Sequence, residues 1–264
     1  MTMISMSKFI TSANGTPAQD DGALGFTPCW PAPANVGALI STRKGGVSAA
    51  PYDSLNLGQH VGDDPAAVAE NRRRLALALP HEPVWLNQVH GVVVVDADKV
   101  GRAVPDADAS VSRTPGIVCA IMTADCLPVL LADVDGTVVG AAHAGWRGLV
   151  GGVIEATVSA MAVPGDRLAA YLGPAISPDA FEVGGEVRDA FLAHDAAADA
   201  AFSAIDDGKY LADIYALARL RLAALGVTQV SGGDACTVID RDRFFSYRRD
   251  KTTGRMASCI WLKP

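Results

Sequence analysis

Cys126-Leu127-Pro128-Val129-Leu130-Leu131-Ala132-Asp133 and Thr137-Val138-Val139-Gly140-Ala141-Ala142-His143-Ala144-Gly145 are two apolar runs separated by Val134, Asp135 and Gly136. Asp-Gly between β-branched, apolar segments is a strong short hairpin signal, because glycine accepts the positive φ that a tight turn needs. With Asp135 and Gly136 as the loop, Val134 faces Thr137, and paired positions sum to 271. Extended to the open end, that register sets Cys126 opposite Gly145. His143 then lies two positions from Gly145 on the same sheet face. Such diagonal neighbours sit about 7–8 Å apart, within reach of a shared ligand. Pro128 opposes this extension, since it cannot donate to a ladder.

Working outward, Asp63-Asp64-Pro65 reads as a helix start, with an acidic cap and proline in the first turn. Val68, Arg72, Leu75 and Leu79 mark one face of that helix, which is expected to end at Pro80. Val92–Val95, Ile117–Met122, Leu168–Leu172, Val227–Val230 and Ala257–Leu262 read as strands. Helices are expected over Leu149–Ala162, Val183–Ala193 and Tyr210–Leu225, the last stopped by Gly226. Interleaved helices and strands with an antiparallel pair predict an α+β fold of mixed sheets in one domain. Residues 1–25 are polar, with one lysine and no apolar core of a secretory signal. They read as a flexible N-terminal tail ahead of a catalytic domain over 26–264.

The 264 residues carry 22 Lys and Arg against 29 Asp and Glu, a net charge of −7. That balance argues against a nucleic-acid-coating protein, whose phosphate contacts need clustered cations. No apolar run approaches the roughly 20 residues of a membrane helix. Five cysteines without a CxxC pair suggest no disulfide framework, so a reducing, cytoplasmic setting is expected.

His90 stands in Asn87-Gln88-Val89-His90-Gly91, Cys126 in Thr123-Ala124-Asp125-Cys126-Leu127-Pro128, and His143 in Ala141-Ala142-His143-Ala144-Gly145-Trp146. One thiolate with two imidazoles suits Zn²⁺, and three protein ligands leave the open position of a catalytic site. The bland alternatives are a core cysteine and hydrogen-bonded histidines. On the residues alone, the Cys126–His143 pair and His90 as third ligand stay open. Ser41-Thr42-Arg43-Lys44-Gly45-Gly46 and Thr253-Gly254-Arg255 are glycine-flanked cationic loops that could hold an anion. Arg72, Arg73 and Arg74 lie on the first helix, and at least two of them read as a solvated face.

Six segments together resemble the multicopper polyphenol oxidoreductase, or laccase-domain, family over Gly37 to Leu262. They are Asn87–Gly91, Ala124–Val129, Ala142–Gly148, Gly173–Ser177, Phe181–Gly184 and Phe244–Asp250. The family is now regarded as purine nucleoside phosphorylases that also deaminate adenosine. The resemblance implies zinc on His90, Cys126 and His143, and a fold of packed mixed sheets once grouped with cysteine hydrolases. It also implies Arg43 and Arg255 near a pocket for purine nucleoside and phosphate. No ligand role is given to His60. A monomer or small homo-oligomer is expected, with no nucleic acid or membrane partner.

Water on such a zinc has its pKa lowered towards about 7. For deamination, Asp125 and Glu182 are the candidate acids for the leaving ammonia. Strand alternation would point Asp125 away from Cys126, towards a role in orienting a histidine. For phosphorolysis, the guanidinium forks of Arg43 and Arg255 are the candidates for phosphate. Three rivals stand beside this reading. A copper-dependent phenol oxidase shares a thiolate-imidazole ligand set, but five histidines cannot stock a multicopper centre. A cysteine hydrolase would use Cys126 as nucleophile and His143 as base. A metal-binding scaffold is the third. The absence of Pro-Cys-x-x-Cys excludes the zinc nucleoside deaminase signature.

Overall fold

A computed structural model describes residues 19–20 and 24–264. The hairpin organises it. Leu127 pairs with Ala144, Pro128 with His143 and Ala132 with Val139, so the ladder keeps the register that sums to 271. Pro128 does not end the pairing; it lies inside the strand Leu127–Asp133. The turn is wider than two residues. The Asp133 carboxylate closes it by accepting the N–H groups of Thr137 (2.6 Å) and Val138 (2.8 Å), while Gly136 supplies the positive φ.

This hairpin forms the middle of a six-stranded sheet. Its order is Gln229–Gly232, Leu168–Leu172, Leu127–Asp133, Val139–Ala144, Ala109–Ser112 and Val94–Asp96. The outermost pairs are parallel and the inner ones antiparallel. A second sheet of five antiparallel strands runs Gln19–Asp20, Gly25–Thr27, Val36–Ser41, Met256–Leu262 and Val118–Thr123. Ile40, Ile121 and Ile260 of this sheet pack against Leu130, Val139 and Ala141 of the first. The opposite face of the six-stranded sheet, with Val129, Leu131 and Ala142, is covered by the helices Val153–Met161 and Ile214–Ala224. The outer face of the five-stranded sheet, with Ala120 and Cys259, is covered by Leu75 of the helix Pro65–Ala76 and by Leu55 and Leu57. The result is helix, sheet, sheet, helix. Burial on both faces is why these strands read as unbroken apolar runs instead of alternating ones. Glu182–Gly184, Lys209–Ala212 and Phe202–Ala204 form a small third sheet. The α+β class of packed mixed sheets is the observed one.

Several element boundaries differ from expectation for local reasons. The helix expected over 149–162 is two, Trp146–Gly151 and Val153–Met161, because Gly152 takes φ +99° and stops the first. The helix expected from Tyr210 begins only at Ile214; Lys209–Ala212 is a strand, and Asp213 caps the helix through the N–H groups of Tyr215 and Ala216. Likewise Glu182–Gly184 is strand and the helix is Gly185–Leu192. Of the expected tail, residues 1–18 and 21–23 lie outside the described residues, while Gly25 opens a strand. Among the described residues no helix is long and apolar enough to cross a membrane.

Candidate functional site

The open end of the hairpin brings the three candidate ligands together. A single nitrogen or sulfur from each of His90, Cys126 and His143 lies within 4.8 Å of the other two. Cys126 Sγ is 3.8 Å from His90 Nε2. The His90 and His143 rings meet edge to face with centroids 4.8 Å apart. A tetrahedral ion bonded at about 2.3 Å to sulfur and about 2.0 Å to nitrogen would hold those atoms about 3.6 Å apart. The donor set therefore closes on an ion with only small adjustments. Gly145 makes the room, since a Cβ there would lie 2.9 Å from Cys126 Sγ and 3.2 Å from the His90 ring.

The group that holds this arrangement is Asp108, which no sequence signal marks. It is fully buried at the entry to the strand Ala109–Ser112. Its Oδ1 faces His143 Nδ1 at 2.8 Å and accepts the His90 N–H at 2.9 Å. Its Oδ2 accepts the N–H groups of Gly91 (2.7 Å) and Val89 (3.2 Å). One carboxylate thus orients the His143 ring, leaving Nε2 for the site. It also clamps the loop on which His90 takes the left-handed φ of +61°. Burial alone would raise the Asp108 carboxyl, but the His143 contact and the backbone donors hold it below the usual carboxylate range.

Electrostatics reinforce the pairing. Burial pushes the Cys126 thiol up, yet the charge of His143 and hydrogen bonds to both imidazoles outweigh it and bring the thiol down to about 6. Burial likewise opposes protonation of His143, while Cys126 and Asp108 hold its proton, with the imidazole raised to about 9. Such a thiolate is ready to ligate a metal or to attack an electrophile.

Two cavities open on the triad and share His90, Ala124, Cys126 and Tyr247. The larger, about 500 Å³, has Trp146, Phe181 and Ile214 in its walls, with Arg147 and Arg248. The smaller, about 300 Å³, contains His60, Gln88, Thr123 and Arg255. Arg255 is therefore beside the triad. Arg43 lines neither cavity. Its guanidinium bonds the carbonyls of Asp53 (2.9 Å) and Arg241 (3.2 Å), pairs with the Asp53 carboxylate at 3.3 Å and stacks on Phe245. The sequence pattern could not show this, since a glycine-flanked arginine looks the same whether it faces a ligand or its own loop.

Asp125 lies in the larger cavity's wall, outside the strand, at φ +92°. Its carboxylate accepts the Thr237 hydroxyl (2.6 Å) and the Arg248 N–H (2.6 Å). It thereby ties the C-terminal segment with Tyr247 to the triad, and the histidine-orienting role considered for it falls to Asp108. Glu182 is exposed at the larger cavity and paired with Lys209 at 2.7 Å. His60, given no ligand role, is at the rim of the smaller cavity.

Known proteins match this chain along most of their length. A purine nucleoside phosphorylase of Pseudomonas aeruginosa is 62% identical over 90% of this chain and 98% of its own. One of Escherichia coli K12 matches to the same extent, and one of Haemophilus influenzae is 48% identical. The crystal structure of a Neisseria meningitidis protein superposes with a TM-score of 0.88 at 59% identity, covering 90% of this chain and 98% of that one. A Geobacillus stearothermophilus structure does so at 0.84 and 31%, covering 94% and 99%. The family model described as multi-copper polyphenol oxidoreductase laccase matches residues 37–263, which span the hairpin, all three candidate ligands and both cavities. With the fold, the family model and these relatives in agreement, the chain belongs to the multi-copper polyphenol oxidoreductase laccase family.

Proposed function

We propose that this protein is a zinc-dependent purine nucleoside phosphorylase, converting adenosine or inosine and phosphate to base and ribose 1-phosphate, with an adenosine deaminase side activity. The observation that carries the reading is the triad set between a larger cavity with aromatic walls and a smaller one holding His60 and Arg255, in a chain 62% identical to proteins named for that activity. Trp146, Phe181 and Tyr247 offer faces for a purine, and Arg255 offers a guanidinium for phosphate. His90, Cys126 and His143 would hold the ion, which supplies Lewis acidity and an acidified water when bound. Zinc is favoured over copper because, among the described residues, one His/Cys/Asp/Glu group of this kind exists, whereas a multicopper centre needs several. Asp108 keeps His143 in the ligating tautomer. Asp125 holds Tyr247 over the site, and Asp125 and Glu182 are the carboxylates at hand for protonating the leaving ammonia in deamination. The free cysteines among the described residues fit a cytoplasmic setting.

The test is product analysis of zinc-loaded protein with adenosine, with and without phosphate. Adenine and ribose 1-phosphate formed only with phosphate support phosphorolysis, and inosine formed without it supports deamination. Neither product from protein that holds zinc would overturn the reading. The lowered thiol of Cys126 beside His143 keeps a second reading in view, a cysteine hydrolase, for which metal removal would activate the protein instead of silencing it.

A further inference from the structure

The three consecutive arginines of the first helix do not share one fate. Arg73 and Arg74 both pair with Glu70, at 2.7 and 2.9 Å, and form the solvated face expected of them. Arg72 turns inward. It stacks on Trp85 with its guanidinium 4.1 Å from the ring centroid, donates from Nε to the Leu57 carbonyl at 2.9 Å, and approaches Met122 Sδ at 3.8 Å. Arg255 is similar. Its side chain donates to the carbonyls of Thr253 and Gly254, both at 3.0 Å. Neither arginine forms an ion pair among the described residues; burial opposes the charge of each, and the charges of Glu82 on Arg72 and of Cys126 and Asp125 on Arg255 only partly offset it. Met122 and Arg255 line the smaller cavity, and His60 stands at its rim. The charges of both arginines act on His60, and together with burial they disfavour its protonation.

Two largely buried cations, neither within ion-pair distance of a carboxylate among the described residues, act together on an imidazole at the wall of an open cavity and make that cavity electropositive, as an anion would need. We propose that the smaller cavity is the orthophosphate subsite, with Arg255 and His60 contacting the phosphate and Arg72 supplying positive potential from behind Met122. This rests on the phosphorylase reading and divides the site: nucleoside in the larger, aromatic-walled cavity, phosphate in the smaller one, the triad between. A phosphate oxygen then bonds to C1′ as the C1′–N9 bond breaks. The electron pair leaves with the purine, and the proton of hydrogen phosphate ends on the departing base. His60, neutral, is able to accept or donate a hydrogen bond to the phosphate in either protonation state.

The test uses zinc-loaded Arg72→Met, which keeps the packing against Trp85 without the charge, and His60→Gln. Steady-state kinetics with varied phosphate should show its KM raised about tenfold or more in each variant, the nucleoside KM within twofold of wild type, and zinc content unchanged. Arg72→Lys should recover most of the loss, as expected of a residue that acts through its charge. Calorimetric titration of the zinc-loaded enzyme with inorganic phosphate, without nucleoside, should show the same weakening. Unaltered phosphate KM and affinity in both folded variants would overturn the assignment while leaving phosphorolysis intact. If wild type cleaves no nucleoside yet binds phosphate, and the variants lose that binding, the anion subsite stands and the phosphorylase reading falls. If AMP displaces phosphate while free phosphate supports no turnover, the subsite belongs to a phosphate ester and the orthophosphate assignment is overturned.

Discussion

Asp108→Asn removes one charge and no volume, and its effect is set by the geometry of four contacts. An amide has a single acceptor oxygen where the carboxylate has two. If that oxygen takes the Oδ1 position, it serves His143 Nδ1 and the His90 N–H, and the NH2 group is left facing the N–H groups of Val89 and Gly91, now 3.2 and 2.7 Å from another donor. If the amide is turned over, the backbone of Val89 and Gly91 is served. His143 Nδ1 must then accept, and its proton moves to Nε2, the nitrogen that faces the other ligands. The first rotamer releases the loop that holds His90 at positive φ; the second puts a proton on a ligating atom. Two orphaned, partly buried donors cost up to about 1–3 kcal/mol each, and 1 kcal/mol moves the Tm of a chain this size by about 2–4 °C. The metal-free protein should therefore melt about 5–20 °C lower than wild type, with no cavity term to confuse the reading. Zinc affinity should fall about 10–100-fold, as it does when a ligating histidine loses its orienting carboxylate. Differential scanning calorimetry of the metal-free protein and chelator competition of the zinc-loaded protein read the two effects separately. Wild-type values in both would refute the role given to Asp108.

Gly145→Ala adds one methyl at a backbone φ of −56° that alanine accepts, but 2.9 Å from Cys126 Sγ. Zinc affinity should fall about tenfold or more with Tm within a few degrees of wild type, and unchanged affinity by chelator competition would show that the ligands have more freedom than the packing suggests. Cys126→Ala should abolish bound zinc, measured by atomic emission, together with phosphorolysis and deamination; full turnover without metal would remove the triad from the chemistry. Arg43→Ala loses two hydrogen bonds to carbonyls and the stack on Phe245. Its Tm should fall by several degrees while the phosphate KM stays within twofold, whereas a raised phosphate KM at unchanged Tm would restore the substrate role read from its glycine-flanked loop.

How much of the fold is legible in the sequence depends on the range over which each signal acts. The hairpin register depends on one turn and the two-residue period of a strand, so the arithmetic that sets Cys126 against Gly145 survives a turn closed by Asp133 and a proline within the ladder. The strand Val36–Ser41 carries no alternation to mark it, because its faces are both buried between layers that come from distant parts of the chain. Lys209–Ala212 reads as the start of a helix because its strand character comes from pairing with residues 182–184 and 202–204, not from its own pattern.

The site divides along the same line. Cysteine and histidine announce ligand chemistry by type, and the resemblance to a known family joins the three. Asp108 announces nothing: an aspartate ahead of a short strand is ordinary, and its meaning appears only when residues 18 positions upstream and 35 downstream converge on it. Arg72 is the sharpest case. Side by side with Arg73 and Arg74, it is indistinguishable from them in composition, charge and helix propensity. What separates it is where position 72 falls on the helix: one position from buried Asn71, facing Trp85 and Met122, with Glu70 already taken by its two neighbours. Such a buried charge, held by a ring and a carbonyl instead of a carboxylate within ion-pair distance, is a property of the fold and not of the sequence around it.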